Sequence, residues 1–146
     1  MKVAKILLLF AAALALQSTA WSAEQVVPKF SHALPNVPGK SIIAVEVSFP
    51  PGDVAAPHRH PKSASLYIYV LSGTIQSQVE GEPARVYHAG DSWFEGPGAH
   101  HILARNLSKT KSAKILAVFV VDSNEKALAT NDAPAEKKPG AAKYHI

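Results

Sequence analysis

The sequence predicts an all-β sandwich or barrel. From Ser41 onward the chain is a series of short runs of β-branched, aromatic and aliphatic residues separated by Gly and Pro, the pattern of short antiparallel strands. Between Ser41 and Val121 no segment keeps a 3.6-residue apolar period without an interrupting Gly or Pro, so helices there are expected to be short or absent. A chain of 146 residues with 47% hydrophobic content can build one domain around its own core, and 18% charged residues excludes a wholly disordered chain.

The elements follow in order. Residues 1–23 read as an export signal: Lys2 and Lys5 precede the apolar run Ile6 to Leu16, and small residues follow, with cleavage expected after Ala20, Ser22 or Ala23. An apolar run of eleven residues falls short of the ~20 needed to cross a bilayer, so a cleaved leader and a periplasmic or secreted protein are expected. Residues 24–40 contain Pro28, Pro35, Pro38 and Gly39 and predict an extended N-terminal arm laid against the body. The barrel is expected over residues 41–121. Its strands are Ile42–Phe49, Leu66–Leu71, Thr74–Val79, Ala84–Tyr87, Ser92–Glu95, Ile102–Arg105 and Lys114–Val121, with a hairpin turn at Gly81-Glu82-Pro83. Residues 122–146, rich in Ala, Lys, Glu, Asn and Pro, predict a short helix and then a mobile tail.

Charge and cysteine content narrow the chemistry. The pI of about 9.4 suggests nucleic acid, but loss of Lys2 and Lys5 with the leader leaves 13 basic against 11 acidic residues. The remaining lysines are scattered or lie in the tail, without the basic and aromatic stripe that follows a phosphate backbone. Neither nucleic acid nor, after signal removal, a membrane is an expected partner. With no Cys there is no thiolate nucleophile and no Cys-ligated metal, so a metal site must use His, carboxylate or water.

Seven histidines in so small a chain point to such a site. His58 and His60 are two apart, so on an extended strand they leave the same face with α-carbons about 6.6 Å apart. His101 follows at the end of another turn-to-strand segment, and Gly98 just before it would let the backbone bend its ring inward. Three neutral imidazoles could hold a divalent transition metal and leave positions open for water or substrate. His100 would point the opposite way from His101. His32, His88 and His145 have no spacing argument, although His32 in the arm could cover a barrel mouth.

Gly52, five residues, His58-Arg59-His60 and then Gly73 resemble the first cupin motif; Gly90, five residues, Gly96-Pro97-Gly98, two residues, His101 and then Asn106 resemble the second. The resemblance spans residues 40–121. It implies a small single-domain cupin β-barrel, a double-stranded β-helix of jelly-roll type, often a homodimer, with a metal in the barrel mouth. The chain departs from the pattern in three ways. The Glu expected after the second His is replaced by Ala64 or Ser65, the turn proline is shifted to Pro97, and one extra residue precedes both Gly73 and Asn106.

What remains is a three-His site of His58, His60 and His101. Among cupins such sites occur in iron-dependent thiol and diketone dioxygenases, so the resemblance implies Fe(II), ahead of Mn(II), Ni(II) or Zn(II), and oxygen chemistry on a small anionic or enolisable molecule. Two carboxylates are candidates for the missing one: Glu95, six residues before His101, and Glu46, inside an apolar strand where an unpartnered acid should not be buried. Glu95 is the candidate acid–base residue. Tyr67 and Tyr69 share one strand face and could reach substrate through their hydroxyls. Trp93 and Phe94 are expected in the core or a dimer interface, and Asn106 in stabilising the turn that follows. The alternatives are a non-catalytic cupin that binds a small molecule or a metal, and a metal-independent isomerase resembling sugar-epimerising cupins, with Glu95 and His101 as its acid–base pair.

Overall fold

The structure, a computed structural model, describes residues 24–133; the expected leader, residues 134–146 and His145 lie outside the described residues. All described elements are strands: β1 (Gln25–Ala33), β2 (Lys40–Phe49), β3 (His58–Arg59), β4 (Ser65–Ser72), β5 (Thr74–Val79), β6 (Arg85–His88), β7 (Ser92–Glu95), β8 (His100–Asn106), β9 (Ala113–Asp122) and β10 (Thr130–Asn131). They form two antiparallel five-stranded sheets, ordered β1-β2-β9-β4-β7 and β10-β3-β8-β5-β6. The seven expected barrel strands are all present; β2, β4, β8 and β9 run two or three residues longer than the apolar runs that announce them, β5 and β7 match them, and β6 is shifted by one residue.

Alternation along the strands places the core. Val45, Val47 and Phe49 of β2, Leu66, Ile68 and Val70 of β4, and Ile115, Ala117 and Phe119 of β9 all turn to the inside and are buried, while the residues between them face outward. The second sheet closes over them with Ile75 and Ala104. Two segments outside the apolar stretch complete the body. The arm is a true strand, β1, paired with β2 from Gln25↔Ser48 to Ala33↔Ser41, its register slipping between Pro28 and Phe30; a proline, which cannot donate to a ladder, is tolerated at such an edge.

The expected helix and tail after residue 122 are corrected over the described part. The chain turns back after Asp122, Leu128 packs against the core, and Thr130 and Asn131 pair with Arg59 and His58. Burial of Leu128 and two ladder pairs hold what the polar composition suggested was free.

Two residues fix the loops at the end of β8 away from His101. Asn106, fully buried, gives its amide to the carbonyls of Phe49 (3.2 Å), Pro50 (3.0 Å) and Lys111 (2.7 Å) and takes the Ser108 N–H (3.0 Å). Gly73 is the single residue by which the chain leaves the first sheet for the second. Its φ is +78°, and a Cβ there would lie 2.6 Å from Ala113 Cβ and 2.8 Å from its Cα.

Gly73→Ala therefore carries both backbone strain and overpacking against a buried strand, expected to cost about 2–4 kcal/mol. Gly81→Ala, at φ +86° but with nothing within 4 Å, should cost about 1 kcal/mol. Urea unfolding of the two variants beside the parent checks the difference; equal losses would refute the close approach at Gly73.

Candidate metal centre

Register brings the three histidines together. In the β3–β8 ladder His58 stands opposite His101 and Arg59 opposite His100, so His58 and His101 turn inward while their neighbours turn out. His60 lies just past β3, where its N–H bonds the Ala99 carbonyl at 3.0 Å. Gly98, at φ +72°, makes the bend before β8. The ring centroids of His58 lie 4.9 Å from His60 and 5.1 Å from His101. One nitrogen from each ring falls within 4.8 Å of the others. Bonds of about 2.0–2.1 Å at tetrahedral angles need nitrogens roughly 3.3 Å apart, so the rings would close in slightly on an ion.

Which nitrogens are free follows from their partners. His58 Nδ1 is 2.9 Å from the Ala56 carbonyl, and His60 Nδ1 is 2.7 Å from the Leu128 carbonyl. A carbonyl only accepts, so both Nδ1 atoms carry the proton and both Nε2 atoms, in the neutral rings, hold lone pairs. His101 Nε2 is 2.8 Å from Ser77 Oγ, a hydroxyl that can give or accept, so His101 Nδ1 is an acceptor when Nε2 carries the proton. His60 Nε2 and His101 Nδ1 both lie against Glu95. This is the outer-shell support expected of imidazole ligands, in which the second ring nitrogen sets tautomer and orientation.

Glu95 completes the group. It is 2% exposed, points inward from β7, and accepts the Trp93 indole N–H on Oε1 at 2.9 Å. Oε1 also lies 3.4 Å from His101 Nδ1 and Oε2 lies 3.3 Å from His60 Nε2, yet Oε2 makes no aligned hydrogen bond. A buried carboxylate with one oxygen against each of two imidazole nitrogens is unstable unless a proton or a cation lies among them. The donor set therefore fits a divalent metal: three neutral nitrogens and one carboxylate, arranged so that an ion satisfies the orphaned oxygen.

The other sequence candidates fall elsewhere. Glu46 is on the outward face of β2, paired with Lys114 at 3.0 Å and Lys29 at 3.6 Å; its neighbours Val45 and Val47 take the inward positions, and the two lysines, which also hold its carboxyl below the usual range, supply the partner that the apolar run concealed. Tyr67 and Tyr69 alternate with the buried Leu66 and Ile68 and so also face away from the cavity. Trp93 is inward and stacks on Tyr87 at 4.4 Å, whereas Phe94 is 65% exposed. His100 faces outward, with its ring nitrogens 2.8 Å from Arg59 and from Asp132. His32 lies on exposed β1, and Glu24 and Val26 are the arm residues that reach the cavity.

Several residues of the site were not anticipated. Ser77 occupies an inward position of β5 between Ile75 and Val79, and its polarity on a buried face was the available signal. Leu128, Ala129 and Asn131 line the cavity from the segment after β9. Nothing in the spacing of that segment announces them.

A cupin-domain family profile matches residues 45–119. Among solved structures, DMSP lyase DddQ from Ruegeria pomeroyi DSS-3 is 26% identical with a TM-score of 0.51, over 58% of this chain and 41% of that one. Oxalate oxidase in complex with the substrate analogue glycolate is 24% identical with a TM-score of 0.55, over 71% and 53%. A conserved protein with a double-stranded beta-helix domain from Klebsiella pneumoniae is 20% identical with a TM-score of 0.58, over 75% and 86%. The chain thus spans 41% of the lyase structure and 53% of the oxidase structure. No curated protein matches it in sequence.

The site gives a pH dependence of stability. Burial holds His101 and His58 below the ordinary imidazole value of 6.5, against the opposing pull of Glu95 on His101 and of the Ala56 carbonyl on His58. The unfolded chain then binds protons first as pH falls through 6.5, so stability is full above that value and is lost below it. Burial alone would raise Glu95, but the adjacent His60 and His101 rings and the Trp93 N–H outweigh it and hold Glu95 below 4.5; its contribution is present above 4.5 and is lost at more acid pH. Chelator-treated protein should lose unfolding free energy steadily from pH 7 to 5. A flat profile over that interval, measured with denaturant, would contradict the buried neutral imidazoles.

Proposed function

Because the chain belongs to the cupin domain family, we propose that it is an exported cupin that holds a divalent transition metal and acts on a small molecule. The observation that carries this reading is the arrangement of the three rings: His58 and His60 give Nδ1 to backbone carbonyls, His101 has Nε2 against Ser77, and one nitrogen of each ring lies within 4.8 Å of the others. His58 Nε2, His60 Nε2 and His101 Nδ1 would be the nitrogen ligands, and Glu95 Oε2 the carboxylate ligand in place of the Glu absent at Ala64 and Ser65. Bound there, a divalent metal supplies a Lewis-acidic position for substrate, and iron adds reactivity toward O₂, the chemistry of a dioxygenase-type oxidoreductase.

The remaining steps belong to the chain. Trp93 fixes Oε1 of Glu95 by its N–H, which leaves Oε2 directed at the rings, where a metal would hold it; in a metal-free site the same oxygen would be the one to accept a proton from a substrate beside it. The apolar walls from β2, β4 and β9 exclude water from the reacting group. Leu128 closes the wall next to His60, and its carbonyl keeps the Nδ1 proton of that ring in place. The reading carries with it a homodimer: the row Phe30, Ala44, Val118, Tyr67 and Phe94, adjacent across the outer face of the first sheet, would be covered in a pair.

A second reading has its own support. The contacts of Glu95 with His60 and His101 at 3.3 and 3.4 Å are those of a carboxylate–imidazole acid–base group, which a metal-independent isomerase would use. Elemental analysis of untagged mature protein, prepared without chelator, separates the two. One metal per chain is expected, lost in both His58→Ala and His101→Ala, with affinity lowered by about tenfold or more in Glu95→Gln. Failure to take up Fe(II), Mn(II), Ni(II) or Zn(II) on reconstitution would end the metal reading and leave the acid–base one.

A further inference from the structure

The cavity in front of the histidines has a composition that selects its occupant. It measures about 140 Å³, close to the ~150 Å³ of an engineered apolar cavity that accepts benzene. Val45, Phe49, Leu66, Ile68, Phe119 and Leu128 make up most of its wall, and no Lys or Arg lines it among the described residues. Five of the cations of the body are engaged with other groups. Arg59 is bonded to His100 at 2.8 Å, Lys40 to Asp122 at 2.7 Å, Arg105 to Gln76 at 2.7 Å, and Lys29 and Lys114 to Glu46. The charged side chains that do line it are both acidic: Glu95 at its end and Glu24, half-buried in the arm.

We propose that this cavity takes a small, uncharged and largely apolar molecule of about six non-hydrogen atoms, an aromatic ring or a short branched chain, with a single lone-pair donor aimed at the histidines. The inference rests on the metal reading for the donor and on the cavity alone for the apolar body. It departs from the expectation of a small anionic or enolisable substrate. A carboxylate ligand would bring its negative charge into an apolar cavity that offers no Lys or Arg among the described residues, so only the metal would balance it. Glu95 would offset one charge of a divalent ion, and Glu24 adds a second acidic group to the lining, so no side chain of the cavity attracts an anion. An uncharged ligand avoids both penalties and gains from the walls by displacing water from apolar surface.

The test uses two probes that fail separately. Co(II)-loaded protein is titrated with phenol, oxalate and glycolate, and the visible Co(II) absorption reports a ligand entering at the metal. Metal-free protein is titrated with benzene, and the methyl resonances of Val45, Leu66 and Ile68 report occupation of the walls. Phenol should bind at least about tenfold more tightly than oxalate or glycolate, since the anions meet buried like charge, and benzene should shift the three methyl groups. Val26→Lys, at a rim position that is 56% exposed, should strengthen oxalate binding relative to phenol. Tighter binding of oxalate or glycolate than of phenol to the parent protein would overturn the proposal, as would methyl resonances that do not respond to benzene. If Co(II) is not taken up, the metal reading fails and the benzene titration alone decides for or against the cavity's preference.

Discussion

Everything at the site depends on the hydrogen bonds made by the outer nitrogens of three imidazoles. A histidine ring in a cavity can rotate or exchange its tautomer, and either change would turn a lone pair into an N–H and remove a ligand. Here the Ala56 and Leu128 carbonyls accept from His58 and His60, and Ser77 holds His101. These partners come from the loop before β3, the segment after β9, and β5. The site is therefore assembled by tertiary structure, and the elements that look peripheral in the chain are the ones that set its chemistry.

Period-two alternation explains why so much of this fold was legible. Where a strand has one buried face, a shift by one residue would exchange its apolar and polar sides, so the register is strongly determined. Leu66, Ile68 and Val70 share one face of β4, and Tyr67, Tyr69 and Leu71 the other. The same rule made His58 and His60 co-facial and set His100 apart from His101. It could not by itself say which face was inside for β2 and β4, both nearly continuous apolar runs, and that ambiguity placed Glu46, Tyr67 and Tyr69 at the cavity in the sequence reading. The structure resolves it through the lysines beside Glu46, one of them on β1 and one on β9. Only the assembled sheet brings residues so far apart in sequence into contact.

The segments flanking residues 41–121 were the least legible for a related reason. Neither β1 nor the segment from Asp122 to Asp132 has an amphipathic pattern strong enough to declare a buried face, and every residue of β1 is exposed. What holds them is pairing with an existing edge: β1 extends the first sheet beside β2, and β10 extends the second beside β3. Strand addition needs backbone groups far more than side-chain chemistry, so composition gives little warning of it. The consequence is functional, because Glu24, Val26, Leu128 and Asn131 from these two segments form part of the cavity wall.

The position of the carboxylate follows from the same lattice of neighbours. In the β4–β7 ladder Glu95 stands opposite Leu66, two residues beyond the buried Ala64 at which the family pattern would supply its Glu. Moving the acid across one ladder, from the strand entering β4 to its partner β7, keeps an oxygen among the histidines and changes the side from which it approaches. Burying that charge is costly, and the Trp93 N–H offsets only part of the cost because it serves one oxygen. Packing gains nothing from the other oxygen, which has no aligned partner; a hydrophobic residue of similar size would fill the space without a desolvation penalty. The retention of a carboxylate there is thus explained by what lies in front of it, three lone pairs and an apolar cavity, and by the cation or proton that they hold in common.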